Sequence, residues 1–183
     1  MLVRGATSSL GLAAVNIAAE KGATVIATTR QPTRAGQLRG IGAAEVLIDD
    51  GQLAGQVHRL GTEVDCVFDL VGNSVLRDSL RIVRARGRVC QLGFLGGLEP
   101  VTGFNPLTDL PSGVQFSFYG SAFVLGTPDF PLAGIPLQQM ITKAEAGRYQ
   151  AKPARVFGFD QIVQAHQAME EGAAAGKMVV VVS

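Results

Sequence analysis

Between the apolar pair Leu2-Val3 and an apolar-periodic run that starts at Leu10 lies Gly5-Ala6-Thr7-Ser8-Ser9-Leu10-Gly11. Small residues at this spacing can cradle a pyrophosphate. A dinucleotide-binding turn must be tight, must let the backbone approach the phosphates, and must let the next helix sit close to the strand. Gly5 can supply the turn and Gly11 the close packing. The helix N-terminus and its amides bring partial positive charge to the anion. Ser8 and Ser9 stand where a plain fingerprint prefers glycine, and their hydroxyls can donate to phosphate. A strand before and a helix after are the context the motif requires. The competing reading is a purely structural turn.

The next strand refines the chemistry. An NAD site places Asp or Glu about 20 residues into the motif, on the ribose 2′-hydroxyl. Residues 21–44 contain no acid, and Thr28-Thr29-Arg30 stands where it would be, with Lys21, Arg34 and Arg39 around it. An arginine fork matches a phosphate, and no carboxylate is there to repel one. NADP(H) is therefore expected over NAD(H), against the alternative that these arginines only solvate the surface. Other candidates are bland. His58 lies among polar neighbours, His166 has no metal partner at useful spacing, and Cys66 and Cys90 read as small apolar residues of buried strands. Gly172-Ala173-Ala174-Ala175-Gly176-Lys177 is one residue short of a phosphate loop and precedes a strand instead of a helix. No zinc site is expected, and no residue is assigned a catalytic role.

These residues need elements to position them. Strands are expected at 2–3, 24–28, 46–48, 64–70, 88–92 and 115–119, with helices at 10–21, 32–40, 52–60 and 75–83. That alternation predicts the α/β class: a doubly wound, Rossmann-type parallel sheet of six strands with helices on both faces. A Gly/Pro-rich stretch after Gly93 breaks the rhythm. A helix at 136–146 and a closing strand–helix–strand at 155–183 follow. Val179-Val180-Val181-Val182 is more apolar than a free edge tolerates, so this strand is expected to have lost a partner or found one in another copy.

Composition excludes several classes. The chain has 183 residues, 47% hydrophobic and 17% charged, enough apolar material for a single folded domain. Sixteen Lys and Arg against 15 Asp and Glu give +1, which disfavours a nucleic-acid binder. No stretch approaches the roughly 20 apolar residues of a membrane span. Two cysteines suit a reducing cytoplasm, and the opening residues carry no signal-peptide pattern.

The run Val3-Arg4-Gly5 through Val15, then Gly22-Ala23-Thr24-Val25-Ile26, Phe68-Asp69-Leu70-Val71-Gly72 and Gly87-Arg88-Val89, resembles the cofactor-binding half of the medium-chain dehydrogenase/reductases. It is nearest the zinc-independent quinone oxidoreductases. Ala165-His166-Gln167-Ala168-Met169-Glu170-Glu171-Gly172 and Gly176-Lys177-Met178-Val179-Val180 are similar to that family's closing helix and strand. The resemblance implies that Thr7, Ser8, Ser9, Leu10 and Gly11 serve the pyrophosphate. Arg34 would meet the 2′-phosphate, with Thr29 and Arg30 nearby. Leu70 and Val71 would lie along the adenosine, Gly93, Phe94 and Leu95 near the nicotinamide, and Lys177 near the bound cofactor. It also implies a homodimer through the region of Phe118–Val124 and a small-molecule acceptor: a quinone, enone or carbonyl compound. Departures are the serines of the turn and Asp49, which stands where relatives have an aromatic. Family members carry a further N-terminal domain that roofs the substrate cleft, so residues 1–183 are expected to be a fragment, inactive alone, with 155–183 packing on that domain. The short-chain relatives fail a test, since neither Tyr119 nor Tyr149 is followed four residues on by lysine. The rival reading is a nucleotide-binding module without turnover, a redox sensor or inert remnant.

Overall fold

The computed structural model describes residues 1–150, 152–174 and 176–182. Along the chain these form β1 (Leu2–Arg4), α1 (Ser9–Glu20), β2 (Ile26–Thr29), α2 (Ala35–Gly40), β3 (Glu45–Ile48), α3 (Leu53–Leu60), β4 (Val64–Asp69) and α4 (Leu76–Ile82). Then come β5 (Val83–Gln91), α5 (Pro106–Asp109), β6 (Gln115–Phe118), α6 (Ser121–Val124), α7 (Leu137–Glu145), β7 (Arg155–Gly158), α8 (Ile162–Glu170) and β8 (Met178–Val181). Six strands pair in parallel in the order β3-β2-β1-β4-β5-β6. The strand order reverses between β1 and β4, and the crevice beyond the strand ends there is where doubly wound sheets bind ligands.

Alternation along each strand sends side chains to two separate cores. On one face Leu2, Ile26, Val67 and Val89 pack with Leu53 and Val57 of α3 and Leu80 of α4. On the other, Val3, Ala27 and Val46 pack with Val15 of α1 and Leu38 of α2. Leu2 and Val3 of β1, and Ile26 and Ala27 of β2, are buried on opposite faces, so neither strand shows the one-sided alternation of a half-exposed strand.

Two features differ from the sequence reading. β5 begins at Val83, five residues before the expected start at Arg88. Its register with β4 jumps from Val64↔Val83 to Cys66↔Arg88, and Arg86 takes a φ of 65°. The intervening Arg84-Ala85-Arg86-Gly87 is an irregularity whose polar composition imitates a loop. The second difference is at the C-terminal end. β8 pairs on one side with β7, in parallel, in a separate two-stranded sheet, and its other edge has no strand partner among the described residues. Phe157, Ala165 and Ala168, with Met178 and Val180 against them, give this unit its own small core.

α3 is capped from a distance. Gln52 makes no side-chain cap, and Asp78 of α4 instead accepts from the amides of Leu53 (2.9 Å) and Ala54 (3.1 Å). The same carboxylate accepts from the buried Arg4 guanidinium at 2.8 Å. Asp78→Ala should therefore destabilise the fold by about 2–4 kcal/mol, more than the ~1 kcal/mol of an ordinary lost cap, because a buried cation loses a counter-charge as well. Urea denaturation followed by circular dichroism measures this, and a loss no greater than a cap's would remove Asp78 from the ion cluster's energetics.

Candidate functional site

β1 delivers the chain into a turn whose geometry calls for glycine at positions 5 and 11. Gly5 adopts a φ of 78°, a region that disfavours a side chain. The Gly5 amide donates to Thr28 Oγ1 (3.2 Å) and the Ala6 amide to the Thr28 carbonyl (3.1 Å), which ties the turn to β2. Ser8 caps α1, accepting from the Gly11 amide at 3.1 Å while its hydroxyl donates to the Gly5 carbonyl at 3.0 Å. That hydroxyl proton is engaged inside the turn, so the expectation that Ser8 donates to a ligand through its side chain is corrected. Ser9 is exposed at the start of α1. A Cβ on Gly11 would lie 2.5 Å from the Gly5 carbonyl and 2.6 Å from Ala6 Cα, so the helix approaches the turn as closely as backbone allows. The first amides of α1, at Ser9 and Leu10, have no intrahelical acceptor and are available to an anion. This cradle fits a pyrophosphate.

The turn opens on a groove. Two adjoining cavities, of about 450 and 520 Å³, share Thr7, Thr29, Arg30 and Leu95 as lining and so run together across the strand ends at the switch point. Gly5, Asp49, Asp50, Val71 and Gly96 also line the first; Ser8, Ser9, Arg34, Gly172 and Lys177 also line the second. Thus Thr7, Ser8, Ser9, Thr29, Arg30, Arg34, Val71, Leu95 and Lys177 come together on one groove. Gly11 lies beneath the turn. Leu70 and Gly93 support the wall: the Leu70 carbonyl accepts from the Leu95 amide at 3.0 Å, and a Cβ on Gly93 would lie 2.7 Å from that same oxygen. Leu10 and Phe94 stand off both cavities; Phe94 packs against Phe118 at 5.6 Å between ring centroids.

Charge in the groove is unevenly tied down. Arg34 donates to Gln31 Oε1 (2.8 Å) and to the Gly172 carbonyl (2.6 Å). Arg30 is exposed and makes no ion pair among the described residues. The Gln52 amide holds the exposed Asp50 carboxyl below the usual carboxylate range.

Beneath the groove is a buried network that sequence reasoning missed. Arg4 is fully buried and grips Asp49 with two parallel bonds, Nε to Oδ2 and Nη2 to Oδ1, each 2.9 Å. Its Nη1 donates to Asp78 (2.8 Å) and to Ser79 Oγ (2.9 Å). Ser79 in turn donates to Asp69 Oδ2 at 2.6 Å, and Asp69 Oδ1 accepts from the amides of Val71 and Gly72. Burial pushes the Arg4 pKa down, but the Asp49 hydrogen bond and the charges of Asp49, Asp78 and Asp69 outweigh it and leave the pKa raised. The one signal in sequence was an arginine directly after Leu2-Val3.

Cys66 and Cys90 are half-buried, not fully buried as expected, because the sheet face they occupy is only partly covered; burial still pushes the Cys66 thiol up. His58 and His166 are exposed. Among the described residues no three His, Cys, Asp or Glu gather as a metal-binding group, and no helix is long and apolar enough to cross a membrane. Ala175, within the stretch that faintly resembles a phosphate loop, lies outside the described residues.

Comparison with known proteins follows the same lines. The family model described as zinc-binding dehydrogenase matches residues 41–180. No curated protein matches. Among solved structures, a mycobacterial protein complexed with NADPH superposes with a TM-score of 0.80 at 24% identity, over 98% of this chain and 55% of that one. A Pseudomonas syringae quinone oxidoreductase gives 0.78 at 21%, over 98% and 55%. The quinone oxidoreductase of Coxiella burnetii gives 0.75 at 20%, over 100% and 52%. At these identities the likeness is one of fold, and this chain spans about half the length of each.

The turn's geometry sets an expected outcome. Gly11→Ala should destabilise the chain by about 1–3 kcal/mol, since the clash is with backbone. Ser8→Ala should remove about 1 kcal/mol of cap. Both are read from urea denaturation, and a neutral Gly11→Ala would mean that the helix can retreat from the turn.

Proposed function

The chain belongs to the zinc-binding dehydrogenase family, and on that premise we propose that it is the NADP(H)-binding half of an oxidoreductase that moves hydride between nicotinamide and a quinone, enone or carbonyl compound. The observation that carries the proposal is the groove at the switch point, floored by a phosphate-fitting turn and bearing Arg30 and Arg34 where an NAD site carries an acid. When bound, the cofactor supplies the hydride chemistry; the protein supplies binding and orientation. The α1 amides with Thr7 and Ser9 hold the pyrophosphate. Arg30 and Arg34 take the 2′-phosphate, Arg34 giving up its bond to the Gly172 carbonyl. Val71 and Leu95 line the path of the adenosine and nicotinamide, and Lys177 closes the phosphate side. The described residues do not assemble the donor set a zinc ion needs, and zinc has no part in the proposal.

The same reading makes the protein a cytoplasmic homodimer. β6 is the last strand of the sheet, and Phe116 and Phe118 on it are exposed. An unpaired apolar edge of this kind is where a second copy adds. Residues 155–183 form the surface for a further domain that roofs the cleft, with Val156, Phe159 and Val163 exposed for that contact. Without such a roof the acceptor is not oriented, and orientation accounts for about 7–11 kcal/mol of a bimolecular barrier.

NADPH should bind tighter than NADH, and Arg34→Ala should narrow the gap. A lost charge-assisted hydrogen bond of about 1.5–3 kcal/mol corresponds to roughly ten- to a hundredfold in Kd. Calorimetric titration measures both, and equal affinities in the parent would end the NADP assignment. Residues 1–183 should oxidise NADPH with a quinone panel more slowly than about 1 per second, the low end of ordinary enzymes, and should run as a dimer in light scattering. Faster turnover would show that this half carries a complete site.

A further inference from the structure

We infer that Arg4 sets cofactor choice: its buried guanidinium masks the Asp49 carboxylate in the wall of the first cavity, and so removes that carboxylate's repulsion of a 2′-phosphate. The inference rests on the NADP reading above. The end of β2 carries no acid, yet an acid reaches the same place from the neighbouring strand. The Asp49 amide donates to the Thr29 carbonyl at 2.8 Å, which sets Asp49 beside the strand end where the ribose 2′ position is read. Asp49 lines the first cavity together with Thr29 and Arg30. An unmasked carboxylate at this point would do what the β2 acid does in an NAD site: accept from a 2′-hydroxyl and repel a 2′-phosphate.

Three donors occupy the carboxylate instead. Arg4 Nε and Nη2 take one oxygen each at 2.9 Å, and the Gly51 amide donates to Oδ1 at 2.9 Å. The Arg4 side chain has no exposed surface and the Asp49 side chain 9%, so solvent screens the pair little. Arg4 cannot turn away. Its Nη1 is held by Asp78 and Ser79 on the far side, and the raised pKa keeps it charged. The acid is thus present in position with both oxygens already engaged, whereas Asp50, exposed in the same cavity, makes no bond to Arg4. Arg4 acts through Asp49 and touches no cofactor, which makes it a positioning residue.

The test measures Kd for NADPH and NADH on the whole chain, with adenosine 2′,5′-bisphosphate and AMP as smaller probes of the same 2′-phosphate. Arg4→Gln should weaken NADPH by about tenfold or more and NADH by less than about threefold, as expected for two like charges a few ångströms apart near a protein surface. In Arg4→Gln/Asp49→Asn the NADPH-to-NADH ratio should return to within about threefold of the parent. A purely structural role would weaken both cofactors alike, and deleting the carboxylate would not restore the ratio; either result overturns the inference. Should Arg4→Gln fail to fold by circular dichroism, the double variant is compared with Asp49→Asn, which keeps the shape of the wall. Matching ratios support masking, and a double variant that has lost discrimination with no carboxylate at position 49 overturns it. A parent indifferent to the 2′-phosphate would sink the NADP reading instead, whereas the change in the bisphosphate-to-AMP ratio between parent and Arg4→Gln still reads the masking by itself.

Discussion

A full positive charge lies at the end of the central strand with no access to water, and much of the groove is arranged around compensating it. Arg4 is completely buried. Removing such a cation from water is unfavourable by several kcal/mol unless counter-charges and hydrogen bonds meet it in good geometry. The partners arrive from different elements: Asp49 from the end of β3, Asp78 and Ser79 from α4, and Asp69, through Ser79, from the end of β4. Each partner has a second duty. Asp78 caps α3, Asp69 shapes the turn after β4, and Asp49 orders the Gly51 turn. The walls of the groove therefore cannot settle independently, since moving any one of them uncovers charge.

Close backbone approach is the second constraint, and it acts on the opposite side of the same turn. Gly11 lets α1 come within contact of Gly5, Gly72 sits where a Cβ would be 2.4 Å from the Gly93 carbonyl, and Gly93 presses on Leu70. Three strand-end loops are drawn together at the point where the sheet changes direction. Ion pairing holds them from below and missing side chains let them converge from above. The result is a floor of backbone amides with little bulk to obstruct a ligand.

Legibility followed sequence distance. The turn at 5–11, α1 and the parallel sheet were readable because their signals are local: glycine spacing, a cap, apolar period. β2 through β4 came within a few residues of their observed bounds for the same reason. What was not readable depends on partners far along the chain. Arg4 looked like a polar residue closing a strand, and its role needs Asp49 and Asp78, 45 and 74 positions away. Asp49 stood out only as an odd replacement for an aromatic. The Ser8 hydroxyl was assigned outward, and it turned inward because the carbonyl of Gly5 and the amide of Gly11 reach it first. The early start of β5 was hidden by Arg84-Ala85-Arg86-Gly87, where an irregular pairing carries a loop's composition.

The β7–α8–β8 unit has a consequence for how the molecule holds together over time. Its buried core amounts to Phe157, Ala165 and Ala168, a small fraction of what the six-stranded sheet buries. A unit with so few buried contacts opens at a lower free energy than the rest, as a separate foldon with its own rate of amide hydrogen exchange. Yet it carries the Gly172 carbonyl that holds Arg34 and the Lys177 that lines the groove. Opening of this minor unit frees Arg34 from the Gly172 carbonyl and withdraws Lys177 from the groove wall, so the groove's lining follows the unit's own opening equilibrium. Anything that clamps β7 to β8, a contacting domain included, tightens the groove without touching a ligand.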